Sequence, residues 1–344
     1  MRLLWNQKNG SVSGEAGMFI GDEPVKLLFP AKKILRVGCP ARQTVYREGE
    51  DFFHESGSDL IFRGKNRAVP ALSPEALYPK REAAVPFPNP GANAVGRGPD
   101  GKLLLFDNQD FFARHQVEID YEAADNAVFP SFHADRTSLP RFRALLAAGK
   151  NCSVTLIGDS ISEGFNASEF VKCPPFSPPY ISLFASELES RFRGRITVFN
   201  AAVEGSGCRH ALSSRDHWIG KPCDLLVIAY GMNDFSSVSA GDFRKELEKI
   251  ISEKQKISPE TEYLLVIPMT GNPEWEPTRP GPDLLFAESI GTLSAENVAV
   301  ADVRSVWQKI LERKKFFDLT GNGVNHPNDY GHRIYASVLL NLFL

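Results

Sequence analysis

The chain has 344 residues, 42% of them hydrophobic and 24% charged, with 39 lysines and arginines against 42 acidic residues and a formal net charge of -3. That is enough length for two domains and a large core, and the near balance of charge argues against a nucleic-acid or polyanion partner. No stretch approaches the roughly 18 apolar residues of a spanning helix, and Met1 to Gln7 carries no signal-like apolar run, so a cytoplasmic protein with no membrane partner is expected.

The first part of the chain is rich in short apolar runs, such as Val25 to Phe29, Lys33 to Val37 and Leu103 to Phe106. Gln116 to Glu122 alternates, with Val117, Ile119 and Tyr121 on one face, the pattern of a half-buried strand. Pro86, Pro88, Pro90, Gly91, Gly96, Gly98, Pro99 and Gly101 mark a loop-rich stretch. Residues 1–130 therefore read as a β-rich accessory domain, with a sandwich as one topology.

Residues 131–344 read as a second domain that alternates strand and helix. Leu139 to Ala148 is a short helix. Val154 to Ile157, Ile196 to Phe199, Leu225 to Ala229, Leu264 to Ile267 and Val298 to Ala301 are apolar enough to be strands covered on both faces. Between them Ile181, Phe184, Ala185, Leu188 and Phe192 share one helical face, as do Phe243, Leu247, Ile250 and Ile251. Ile334, Val338 and Leu342 line a closing helix. Five strands alternating with helices predict a three-layer α/β fold around a parallel sheet.

In such folds ligands bind beyond the carboxyl ends of the strands. Gly158-Asp159-Ser160 follows the first strand, Asn200 to Gly205 the second, and Gly231-Met232-Asn233-Asp234 the third. Asn325-His326-Pro327 precedes the last helix. In this order the four segments resemble the SGNH (GDSL-like) hydrolase superfamily, over roughly residues 150 to 343. The resemblance implies a flavodoxin-like sheet of order 2-1-3-4-5. It also implies Ser160 as nucleophile, His326 as base, and an oxyanion hole from the Ser160 N–H, the Gly205 N–H and the Asn233 amide. Serine needs a base to become a nucleophile, and histidine titrates near neutrality.

The family's usual final block is Asp-x-x-His. Here Gly323 stands three residues before His326 and Asn322 four before. Some members of the resembled superfamily work with a Ser–His dyad whose ring is held by a backbone carbonyl, and that is the arrangement the resemblance implies here. Asn322 stays open as an orienting amide, and Asp318, Asp302 or Asp329 as an acid from elsewhere, with Asp318 nearest upstream. Asp159 and Asp234 are expected to bind loop backbone, and His332 to be structural. Arg209, His210 and His217 are expected on a solvated face. The five cysteines form no CxxC pair and read as free thiols, and no metal or cofactor is expected.

The resemblance implies hydrolysis of a small acyl ester through an acyl-Ser160 intermediate. Two-domain members that carry a β-sandwich make an O-acetylated carbohydrate the first substrate expectation. A short-chain lipid esterase is the alternative enzyme. A glycan-binding protein with a degenerate hydrolase domain is the alternative class.

Overall fold

The computed structural model describes residues 4–6, 10–127, 135–278 and 281–344. The expected boundary near residue 130 lies outside the described residues. In the amino-terminal part, strands β1 (Ser11–Ile20) and β2 (Ala31–Gly38) flank β3 (Gln116–Ala123), each antiparallel to it. The alternation read at Gln116 to Glu122 predicts a half-buried strand, but β3 is central and Gln116 and Glu118 on its other face are buried as well. Val117, Ile119 and Tyr121 are fully buried on one face. They share one apolar core with Val25, Phe52 and Ile61 of a separate three-stranded sheet.

After helix α1 (Pro140–Ala147), the remaining chain forms the expected α/β layers. Strands β4 (Cys152–Gly158), β5 (Ile196–Asn200), β6 (Leu225–Ala229), β7 (Glu262–Ile267) and β8 (Val298–Asp302) are all parallel, in the order β5-β4-β6-β7-β8. This is the 2-1-3-4-5 order that the resemblance implied. All five residues of β6 are buried, as a central strand covered on both faces requires. Helices α2 (Tyr180–Phe192), α3 (Ala240–Ile257), α4 (Pro282–Gly291), α5 (Val303–Leu311) and α6 (Asp329–Asn341) supply the covering layers. Asp302 ends β8 and caps α5, where it accepts the Ser305 N–H at 2.9 Å. No helix among the described residues is long and apolar enough to cross a membrane.

The two parts are stitched together by polar contacts beside the sheet ends. The Met18 N–H donates to Asp318 Oδ1 at 2.7 Å. Gln116 Nε2 donates to the carbonyls of Phe317 and Thr320 at 2.7 and 2.9 Å. On the other side the Arg97 N–H donates to the Glu274 carbonyl at 2.7 Å. Gly96 makes that approach possible: a Cβ there would lie 1.9 Å from the Glu274 oxygen, and its φ is +65.

Candidate active site

Ser160 opens a one-turn helix directly after β4, and Asp159 caps it by accepting the Ile161 N–H at 3.0 Å. The abrupt strand-to-helix turn lifts the serine hydroxyl to the carboxyl edge of the sheet. His326 lies in the loop before α6. Asn322 Oδ1 accepts three successive backbone N–H groups there, from Val324, Asn325 and His326, at 2.9 to 3.0 Å. Asn328 then caps α6 by accepting the Gly331 N–H at 2.9 Å. So the loop that carries the imidazole is fixed at both ends.

These two turns bring Ser160 Oγ to 2.9 Å from His326 Nε2, although 166 positions separate them in sequence. The other ring nitrogen, Nδ1, meets Asn166 Oδ1 at 3.1 Å. This corrects the sequence reading of what holds the ring. A side-chain amide takes the place expected for a backbone carbonyl. Asn322 contacts the His326 main chain instead of its ring. Asp318 turns away to take the Met18 and Lys315 N–H groups. Asp329 is likewise engaged elsewhere, accepting the Ser168 N–H at 2.7 Å.

Asn166 also fixes its own orientation. Its Nδ2 donates to the carbonyls of Gln109 and Gly321, each at 3.1 Å. The amide oxygen must then face His326, so Nδ1 carries the ring proton and Nε2 keeps its lone pair for the serine hydroxyl. Gly321 permits this packing, since a Cβ on it would lie 2.5 Å from the Asn166 Cβ. Nothing local in the sequence singles out Asn166. It sits in a turn with φ +60, six residues after Ser160, and only the tertiary fold brings it to the imidazole.

Ser160, Gly205, Asn233 and His326 line one cavity of about 330 Å3. Gly205 has φ +67, and open space lies where its side chain would be. Asn233 Nδ2 donates to the Ser206 carbonyl at 3.0 Å, and Asp234 Oδ1 accepts the Cys208 N–H at 3.1 Å. Two successive residues of the third segment thereby hold the turn directly after the second segment in place. Phe165 packs its ring 5.1 Å from the imidazole. The amino-terminal part completes the cavity with Phe87, Val95, Phe106 and Asn108, and Trp275 lies beside them. Sequence reading missed this contribution, since short loops carry no periodic signal of what they face.

Burial sets the charge states. It pushes His326 down to about 3, with His332 adding repulsion, so the imidazole is neutral at ordinary pH. Burial likewise pushes Asp159 up to about 7 and Asp234 up to about 6. His332 is fully buried, and its Nδ1 accepts the Tyr180 N–H at 3.3 Å while Nε2 faces the Phe165 carbonyl at 3.2 Å. Those contacts fit the structural place expected for it.

The low value for His326 has a kinetic consequence. A histidine acting as general base works only when neutral, so if His326 has that role kcat/KM is expected to fall no more than about twofold between pH 6 and pH 4.5. An imidazole left at 6.5 would lose about 25-fold over that interval. The folding linkage runs the same way for both buried histidines. Their folded values are depressed, so they withdraw stability as pH falls from 6.5 towards those values. The profile is therefore best read from initial rates on protein checked to be folded, and an inflection near 6.5 that persists in Asp159→Asn and Asp234→Asn, whose carboxyls are pushed up towards that range, would refute the burial argument.

Among the described residues, Cys208, Asp234 and Glu246 bring a sulfur and two carboxylate oxygens within 4.8 Å of one another. This is the trio with the donor set to hold a divalent cation. In the structure one oxygen of Asp234 takes the Cys208 N–H, and Glu246 Oε1 takes Arg209 Nε at 2.7 Å. Arg209 is therefore ion-paired on the surface. All five cysteines are free.

A model of the GDSL-like lipase/acylhydrolase family matches residues 156–334. No curated protein sequence matches the chain. Among solved structures, similarity extends to Axe2, an acetylxylan esterase from Geobacillus stearothermophilus, at TM-score 0.45 and 19% identity, over 57% of this chain and 96% of that one. LAE5, an alpha/beta hydrolase enzyme from the metagenome of Lake Arreo, is similar at TM-score 0.45 and 18% identity, over 57% and 96%. A member of the lipolytic protein G-D-S-L family from Veillonella parvula is similar at TM-score 0.43 and 18% identity, over 56% and 97%.

Proposed function

This chain belongs to the GDSL-like lipase/acylhydrolase family, and from that premise we propose that it hydrolyses small acyl esters through an acyl-Ser160 intermediate. The observation that carries the reading is the 2.9 Å contact between Ser160 Oγ and an imidazole nitrogen whose lone pair is free. Ser160 Oγ attacks the ester carbonyl carbon as its proton passes to His326 Nε2. The carbonyl oxygen becomes an oxyanion. The Ser160 N–H, the Gly205 N–H and the second Asn233 amide hydrogen are its donors, each worth about 3–4 kcal/mol in comparable sites. Collapse expels the alcohol, which leaves with the proton held on Nε2. Water then repeats the sequence on the acyl-serine, releasing the acid and restoring Ser160. No step needs a metal or cofactor to balance.

The cavity of about 330 Å3 sits at the lower end of the usual range for small-ligand sites, which suits a short acyl group on a compact alcohol. An O-acetylated carbohydrate is the substrate class we propose. A serine-reactive fluorophosphonate tests the mechanism. Stoichiometric labelling at Ser160, absent in Ser160→Ala, is the expected result. A folded wild-type protein that takes no label would instead favour a glycan-binding protein built on a hydrolase fold.

A further inference from the structure

One wall of the reaction cavity comes from outside the part of the chain that carries Ser160 and His326. Phe87 stands at the rim and is 54% exposed, so its ring is open to a ligand in the cavity. Phe106 supports it edge-on, with ring centroids 6.0 Å apart and planes at 62°. Asn108 lies beside them, half-buried. Among the described residues its side-chain amide meets no hydrogen-bond partner, and its Oδ1 is buried without one. Oδ1 is closed to solvent, so the amide N–H groups are what this side chain leaves for a ligand's polar group on the cavity wall.

The wall is also held at a fixed distance from the chemistry. The Phe106 N–H donates to the Asn93 carbonyl, and the Arg97 N–H to the Glu274 carbonyl. From the same loop Asn272 Nδ2 donates to the Gly323 carbonyl at 3.0 Å, and the Asn272 N–H donates to the Val324 carbonyl at 2.9 Å. Gly323 and Val324 belong to the loop that carries His326. Wall and base are thus joined by a short chain of hydrogen bonds.

We propose that Phe87 and Asn108 form the subsite for the alcohol half of the ester and select a ring alcohol that bears free hydroxyls. Such a ring presents an apolar C–H face, which Phe87 can cover, and a hydroxyl rim, whose oxygens can accept from the Asn108 amide N–H groups. A plain alkyl alcohol satisfies Phe87 but leaves Asn108 unpaired, and sites built to pair a hydroxyl reject analogues that lack it. Phe87 and Asn108 are specificity residues here, and the inference rests on the acyl-serine reading.

The test compares two acetates of six-membered ring alcohols, a monoacetylated methyl glucoside and cyclohexyl acetate. Acyl group and ring size match, and only one ring bears hydroxyls. Wild type is expected to favour the glucoside in kcat/KM by at least about tenfold, and Asn108→Leu to erase most of that preference. Phe87→Ala is expected to raise KM for the glucoside more than it lowers kcat. Equal loss on both esters in a folded Asn108→Leu protein would assign Asn108 a structural place and overturn the inference. So would a wild-type enzyme that labels at Ser160 yet shows no preference. If Ser160 takes no label and neither ester is cleaved, the acyl-serine reading itself falls, and this inference falls with it.

Discussion

Ser160→Ala is expected to lower kcat/KM for p-nitrophenyl acetate by about 10,000-fold or more, and His326→Ala by a comparable factor. The double variant should be scarcely worse than either single one, because the two side chains act as one unit. Removing the hydroxyl leaves the base with nothing to deprotonate, and removing the base leaves a neutral serine of negligible nucleophilicity. A loss of about 10,000-fold is about 5.5 kcal/mol of transition-state stabilisation. Asn166→Ala should cost less, about 10- to 100-fold, since it releases the ring without removing it. Asn166→Asp should not improve on wild type, although a carboxylate stabilises imidazolium better than an amide. The carbonyls of Gln109 and Gly321 now receive hydrogen bonds from Asn166 Nδ2 and would instead face a second carboxylate oxygen. Rates within about tenfold of wild type for folded Ser160→Ala would end the acyl-serine mechanism.

The sequence made legible what periodicity and local chemistry encode. The apolar runs from Val154 to Ala301 marked all five strands of the parallel sheet, because a strand buried on both faces must be apolar throughout. The small and polar residues after those strands pointed to one edge, and Ser160, Gly205, Asn233 and His326 do share a cavity there. The partner of His326 Nδ1 was not legible. Local spacing points upstream of the histidine to Asp318 and Asn322, near where the family's acid normally stands. The contact comes instead from a turn 160 positions away, held by hydrogen bonds to Gln109 and Gly321 that no local pattern reveals. The amino-terminal wall was hidden for a related reason. Phe87, Phe106 and Asn108 lie in irregular loops, and what a loop faces depends on the packing of whole elements.

Asp318 has a different task, and it carries the second large effect. Lys314 is fully buried with its ammonium 3.0 Å from Glu15 Oε1, 2.7 Å from the Lys26 carbonyl and 3.8 Å from Asp318 Oδ2. Burial works against its charge, but Asp318 and Glu15 outweigh that and raise its pKa. Glu15 is satisfied on its other sides by the Tyr121 hydroxyl at 2.7 Å and the Leu28 N–H at 3.0 Å. The cluster ties β1 and the strand Val25–Lys26 to the segment that leads into the His326 loop. Lys314→Met keeps the length and packing of the side chain but strands a carboxylate in a place closed to water. Such a loss costs about 3–5 kcal/mol, and a urea midpoint lowered to match is the expected result at pH 7. Lys314→Met combined with Glu15→Gln should recover a large part of the loss, since it removes the orphaned charge as well as its partner. The raised lysine value places the pair's contribution below pH 10.5 and removes it only as pH rises through the folded value, so the deficit should be level from pH 6 to 9. A folded Lys314→Met protein as stable as wild type at pH 7 would overturn this account of the cluster.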